Sequence, residues 1–200
     1  MQNTAIFATT RFINPSHSTD RMTKICIKDK LLSFYTKRLL KARPAVSTNV
    51  GFRQAQNMGI LYRGDSQAKH EAIHCLADRL SQLGKKVTTL CYVLPAVAVT
   101  NLSFPTVTRQ DVGLWGNITQ PQANAFVSTA FDYLYQVDAA GGDPVLDYLV
   151  AKSQAKCRVG HYTPARTALF EVMVTIDSSL AIDIATEALI AQMLRYTQML

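Results

Sequence analysis

Two hundred residues, 48% of them hydrophobic, suffice for one domain with its own core. No apolar run reaches the roughly 18–20 residues of a membrane-spanning helix. Four scattered cysteines (Cys26, Cys75, Cys91, Cys157) without a Cys-x-x-Cys pair exclude a disulfide scaffold and fit a reduced, cytoplasmic setting.

The net charge of +7 is unevenly held. Residues 1–53 carry ten Lys/Arg against Asp20 and Asp29, whereas residues 54–200 carry eleven against twelve Asp/Glu. The excess therefore belongs to the N-terminal quarter, which is the strongest pointer to a partner.

In chain order, residues 1–22 form a Ser/Thr-rich stretch with Arg11, Arg21 and Pro15 and no acid before Asp20. Transit peptides share that composition, but a secretory apolar core and an Arg-rich amphipathic helix are both missing. A disordered tail, or an upstream start ahead of a native Met22, is the expectation.

Residues 23–56 read as a basic amphipathic helix and a linker. Ile27, Leu31, Leu32, Phe34, Tyr35, Leu39 and Leu40 supply an apolar side over Ile25–Ala42. Lys24, Lys28, Lys30, Lys37, Arg38 and Lys41 surround it, and Arg43-Pro44 ends it. Such a helix either packs its apolar stripe on the domain or docks onto an anionic partner, RNA or a ribonucleoprotein or an acidic membrane surface. Those six cations and Arg43 are the candidate contacts. Val46–Gln56 reads as a polar linker.

Residues 57–200 alternate strand and helix. Met58–Tyr62 is a short apolar run, Gln67–Leu83 carries an apolar stripe from Ala68 to Leu83 at three- and four-residue spacing with Lys69 among the polar positions between, and Val87–Leu94 is β-branched. Ser66 is placed to cap the helix, and Gly84 with Lys85 and Lys86 to close it. Pro95–Asn117 is ambiguous, with a short strand near Thr106–Thr108 and Trp115 expected to plug a core edge. A helix from Pro121, a strand over Phe131–Val137, a helix opened by Asp143-Pro144, strands over Lys156–Gly160 and Leu169–Ile176, and a final helix capped by Asp177 complete the pattern. This predicts an α/β fold, a single doubly wound, mostly parallel Rossmann-like sheet with the basic helix at its N-terminus.

Gly59-Ile-Leu, Gly113-Leu-Trp-Gly116, Phe131-Asp-Tyr-Leu and Ser153-Gln-Ala-Lys156 with Val159-Gly160 resemble an uncharacterised family of small Bacteroidetes α/β proteins over roughly residues 25–198. That resemblance implies the fold and a cytoplasmic location, and no activity. Phe131–Asp138 followed by Ala155–Gly160 is distantly similar to part of the acceptor half of heptosyltransferase-like glycosyltransferases. Those enzymes need a second, nucleotide-binding half, so the resemblance implies shape without chemistry.

Three constellations carry possible chemistry. His70-Glu71-Ala72-Ile73-His74 matches His-Glu-x-x-His, which sets two histidines one helical turn apart, able to share a zinc ion. It lacks a third ligand downstream. The turn Arg63–Lys69 has a single glycine and forms no phosphate loop, so no nucleotide or other cofactor is expected. Beyond the carboxyl ends of the strands fall Asp65, Ser66, Asp138, Gly141, Gly142, Asp143, His161, Tyr162, Arg166 and Asp177, where an open parallel sheet binds ligands. Asp138, Asp143 and His161 are the candidate acid–base set, and Asp65, Ser66, Tyr162 and Arg166 the candidate ligand contacts. The functional expectation is a non-catalytic protein bound to an anionic partner through its basic helix. The alternatives are a small-molecule site at the strand ends and, third, a zinc site.

Overall fold

The computed structural model describes residues 16–43, 50–94, 103–177 and 179–200, with first-helix side chains from Ile27 onward. The first 15 residues, the side chains of Lys24 and Cys26, and the segments 44–49 and 95–102 lie outside the described residues. In chain order the elements are α1 (Ser16–Ala42), β1 (Asn57–Gly64), α2 (Gln67–Gln82), β2 (Lys86–Val93), β3 (Thr106–Thr108), α3 (Pro121–Ser128), β4 (Tyr133–Val137), α4 (Pro144–Lys152), β5 (Cys157–His161), β6 (Val172–Val174) and α5 (Ile182–Gln198).

The six strands form one sheet in the order β3-β2-β1-β4-β5-β6, and every neighbouring pair is parallel. This is the doubly wound α/β arrangement expected from the alternation. The chain builds outward from β1 to β3 and then returns to lay β4 on the other side of β1. The reversal makes the β1–β4 junction the switch point, where such sheets open a crevice.

Side chains alternate across the pleat. Leu61 and Leu134 face a core completed by Leu32 of α1, Phe126 of α3 and Leu146 of α4. Ile60, Tyr62 and Tyr135 face the opposite core with Ile73 and Leu80 of α2 and Leu189 of α5. Gly160 has a packing reason: a Cβ there would sit 2.3 Å from the Phe170 ring.

Several local expectations need correction. The basic helix starts at Ser16 rather than near Ile25 and is an integral layer, with Leu32 fully buried against α4's face of the sheet. Within the expected linker, Phe52 and Ala55 are buried, and Lys85 Nζ donates to the carbonyls of Phe52, Arg53 and Ala55 at 2.9, 3.1 and 2.7 Å. In α2 the inward face begins with Lys69 and His70, while Ala68 and Leu83 are exposed. Trp115 plugs nothing: it is 78% exposed, because Tyr148 Oη and Lys152 Nζ both fasten the neighbouring Gly116 carbonyl and leave the indole outside. Asp177 does not cap α5. It accepts from the Ser179 amide and hydroxyl, and the helix starts after Ala181. Cys91 and Cys157 are buried thiols, and Cys75 is exposed.

Candidate functional site

At the carboxyl end of β4 the chain runs Asp138-Ala-Ala-Gly-Gly-Asp143 into α4. Gly141 and Gly142 hold φ of 64° and 79°, left-handed values that favour glycine. Asp143 caps the helix, accepting from the Val145 and Leu146 amides at 2.8 and 3.4 Å, with Pro144 in the first turn. β5 then leads through Tyr162 to a 3-10 turn at Pro164–Arg166, which swings Arg166 back beneath the glycine loop.

Arg166 is the centre of this region. Its side chain is 4% exposed, stacks 4.9 Å over the Phe170 ring, and donates from Nη2 to Asp147 Oδ1 at 2.7 Å and to Gln136 Oε1. Its Nε and Nη1 have no hydrogen-bond partner, and Nη1 lies against Gly141. A cleft of about 510 Å³ opens here, lined by the glycine loop, Asp147, Thr163 and Arg166 and, from α1, by Ser33 and Lys37. Burial pushes the Asp147 carboxyl above its ordinary value even though Arg166 pulls it down. Burial likewise raises Asp143, opposed by the amides it caps.

The acid–base trio is not assembled around one space. Asp138 is fully buried, without a hydrogen bond, 3.4 Å from Arg63 Nη2. Asp143 is spent on its helix cap. His161 borders a separate hollow of about 210 Å³ with Ala139 and Asp177. Burial, then the Arg166 charge, lowers the His161 pKa against the pull of Asp138. The three share an electrostatic neighbourhood, but neither Asp138 nor Asp143 lines the hollow at His161 or the cleft at Arg166.

The other candidates have structural employment. Asp65 pairs with Arg63 Nε at 2.8 Å and Lys69 Nζ at 2.6 Å. Burial alone would raise its pKa, but Lys69 and Arg63 together hold it below the ordinary value. Arg63 thereby ties Asp65 to Asp138 across the β1–β4 switch point. Ser66 caps α2 through the Lys69 amide and donates to Asp183. Tyr162 is exposed, and its backbone amide donates to the Val174 carbonyl.

His70 and His74 do face one another, with Nε2 atoms 3.2 Å apart and Ser103 Oγ 2.6 Å from His74. Tyr62 Oη holds His70 Nδ1 at 2.5 Å, and Phe104 stacks on His74. Glu71, which a zinc protease would need beside its metal, is exposed and accepts from Gln67. Among the described residues no third His, Cys, Asp or Glu completes a metal set.

Of the seven cations proposed for an anionic partner, two are used internally. Lys28 donates to the Arg109 carbonyl beside the Asp29–Arg109 pair, and Arg43 donates to the Ala155 carbonyl near Glu171. Lys30, Lys37, Arg38 and Lys41 are exposed, and no described carboxylate pairs with them. Lys24's side chain lies outside the described residues.

A family model matches residues 28–200, from the inward-packed half of α1 to the last helix. The chain belongs to DUF6913, a family of unknown function. The DUF6913 match agrees with the expected resemblance to an uncharacterised α/β family and brings no activity with it. No curated protein sequence matches the chain. Among solved structures it is similar to E. coli heptosyltransferase WaaC with ADP, at 14% identity and a TM-score of 0.44, over 68% of this chain and 48% of that one. The chain thus spans about half the length of that enzyme. No helix among the described residues is long and apolar enough to cross a membrane.

Sequence reasoning missed Gln136, Asp147 and Arg63. Gln136 lies in a β-rich apolar run and Asp147 looks like a solvated helix position. The available signal was Asp143 and Asp147 one helical turn apart beside a diglycine loop.

Proposed function

We propose that the protein is a small-molecule-binding α/β domain, with its site in the cleft between α1, the Gly141–Gly142 loop and Arg166, and with a ligand that carries an anionic group. One observation carries this reading. Arg166 is almost wholly buried, yet two of its donor positions are unpartnered at the wall of that cleft. A buried charged donor left unbonded costs more than a neutral one, and a carboxylate or phosphate matches the guanidinium fork. Lys37 adds a second positive charge at the rim, against Asp147 alone. No general acid–base pair borders the space, so binding rather than turnover is the function offered.

Thermal unfolding in phosphate, pyrophosphate or citrate, against chloride at equal ionic strength, tests this. A bound ligand raises Tm by mass action. Ser33→Trp, which fills the cleft mouth without altering charge, and Lys37→Ala both remove the shift while the unliganded Tm holds. Equal Tm in every anion, or a shift that survives Ser33→Trp, rejects the site.

A second reading has its own observation. The four exposed, unpaired cations of α1 support association with an anionic macromolecule or surface through that helix.

A further inference from the structure

We infer that the outward face of α1 is a docking surface for an anionic phospholipid bilayer, an assignment that rests on the second reading of that helix. At about 100° per residue, Ile27 and Phe34 lie within roughly 20° of one line along the helix. Lys30, Lys37 and Lys41 run along one side of that line and Arg38 along the other. Leu32 and Thr36, both buried, fall on the side roughly opposite.

The crest of the outward face is therefore apolar and its flanks are cationic. Ile27 is 51% exposed and Phe34 is 60% exposed. Helices that lie in the bilayer interface have this cross-section, with apolar side chains entering the acyl boundary and lysines or arginines meeting lipid phosphates. A nucleic acid would use the flanking cations and the Phe34 ring, but the aliphatic Ile27 beside it on the crest offers neither a stacking plane nor a donor. The crest residues Ile27 and Phe34 line neither the cleft at Lys37 nor the small hollow that Arg38 borders with Tyr148. The internal use of Lys28 and Arg43 fits the same division, because those two lie toward the body and the four outward cations do not pair with it.

Co-sedimentation of the full chain decides the matter, using vesicles of phosphatidylcholine alone, vesicles of phosphatidylcholine with phosphatidylglycerol, and single-stranded oligouridylate at matched phosphate. Binding is expected to the mixed vesicles, to fall with salt, and to be absent on phosphatidylcholine alone. Phe34→Ala lowers partitioning on the order of 5- to 30-fold. Lys30→Gln with Lys41→Gln lowers it on the order of 10- to 30-fold. Both changes sit at exposed positions away from the Arg166 cleft, so thermal shifts there remain unchanged. RNA binding without vesicle binding overturns the lipid assignment and leaves the anion-binding face standing. Vesicle binding insensitive to Phe34→Ala also overturns it. Binding of neither probe removes the lipid assignment together with the anionic-partner reading of α1 on which it rests.

Discussion

Arg166 Nη2 lies 2.7 Å from Asp147 Oδ1, and this pair ties the turn after β5 to the first turns of α4. Because the guanidinium is almost fully enclosed, Asp147 cannot be removed without leaving a buried charge uncompensated. Asp147→Leu is expected to destabilise the fold by about 3 kcal/mol in urea unfolding. Arg166→Leu combined with Asp147→Leu should recover a large part of that loss. A double-mutant cycle in which the two changes simply add would show that the pair does not hold these elements together.

Asp143 separates a capping role from a charge role. Its carboxylate accepts two helix amides, but burial has raised its pKa, so the ionised form is held at some cost. Asn caps about as well as Asp, and Ala does not. Asp143→Asn should leave stability at pH 7 within about 0.5 kcal/mol, whereas Asp143→Ala should lose about 1 kcal/mol. Equal losses from the two would mean that the charge itself, rather than the cap, is what the loop requires.

The His70–His74 contact sets a pH dependence. Burial, and then the neighbouring His74, lower the His70 pKa. Tyr62, Glu71, Ser103 and Phe104 also face it. With the folded pKa depressed, the unfolded chain takes the proton first. Stability is then complete above the unfolded value of about 6.5 and falls as pH drops from there to the folded value, below which the loss levels off. Tm measured from alkaline to acidic pH should therefore decline through this window, and His74→Gln should flatten the decline. A variant as pH-sensitive as the parent would place the titration elsewhere.

Local grammar made much of the fold legible. A serine before a periodic stretch and an aspartate before a proline each announce a helix start, and both Ser66 and Asp143 accept the expected amides. The buried strands were readable for the same reason, since Met58–Tyr62 has no polar residue to turn toward water. The cleft was not readable, because its decisive contacts are non-local: Arg166 reaches Gln136 thirty residues back and Asp147 nineteen back. No spacing rule links such positions. Trp115 and Lys69 were misplaced for a related reason. Hydrophobicity alone puts an indole inside and an ammonium outside, whereas Gly116's carbonyl bonds and Asp65's carboxylate invert that order.

The basic helix raises the sharpest question of attachment, and two neighbouring substitutions answer it. Leu32 is fully buried among Leu61, Leu134 and Leu146, whereas Phe34, two positions on, points to solvent. If α1 is a layer of the domain, Leu32→Ala opens a cavity in its core and costs about 2–5 kcal/mol. Phe34→Ala removes a largely exposed ring that packs edge-on with Tyr35, at 5.8 Å, and changes stability by about 0.5 kcal/mol or less. Urea unfolding of both variants, followed by far-ultraviolet circular dichroism, makes the comparison. A detachable sleeve would tolerate both changes alike and would melt in a separate early transition, so a single transition with a large loss for Leu32→Ala alone is the expected result.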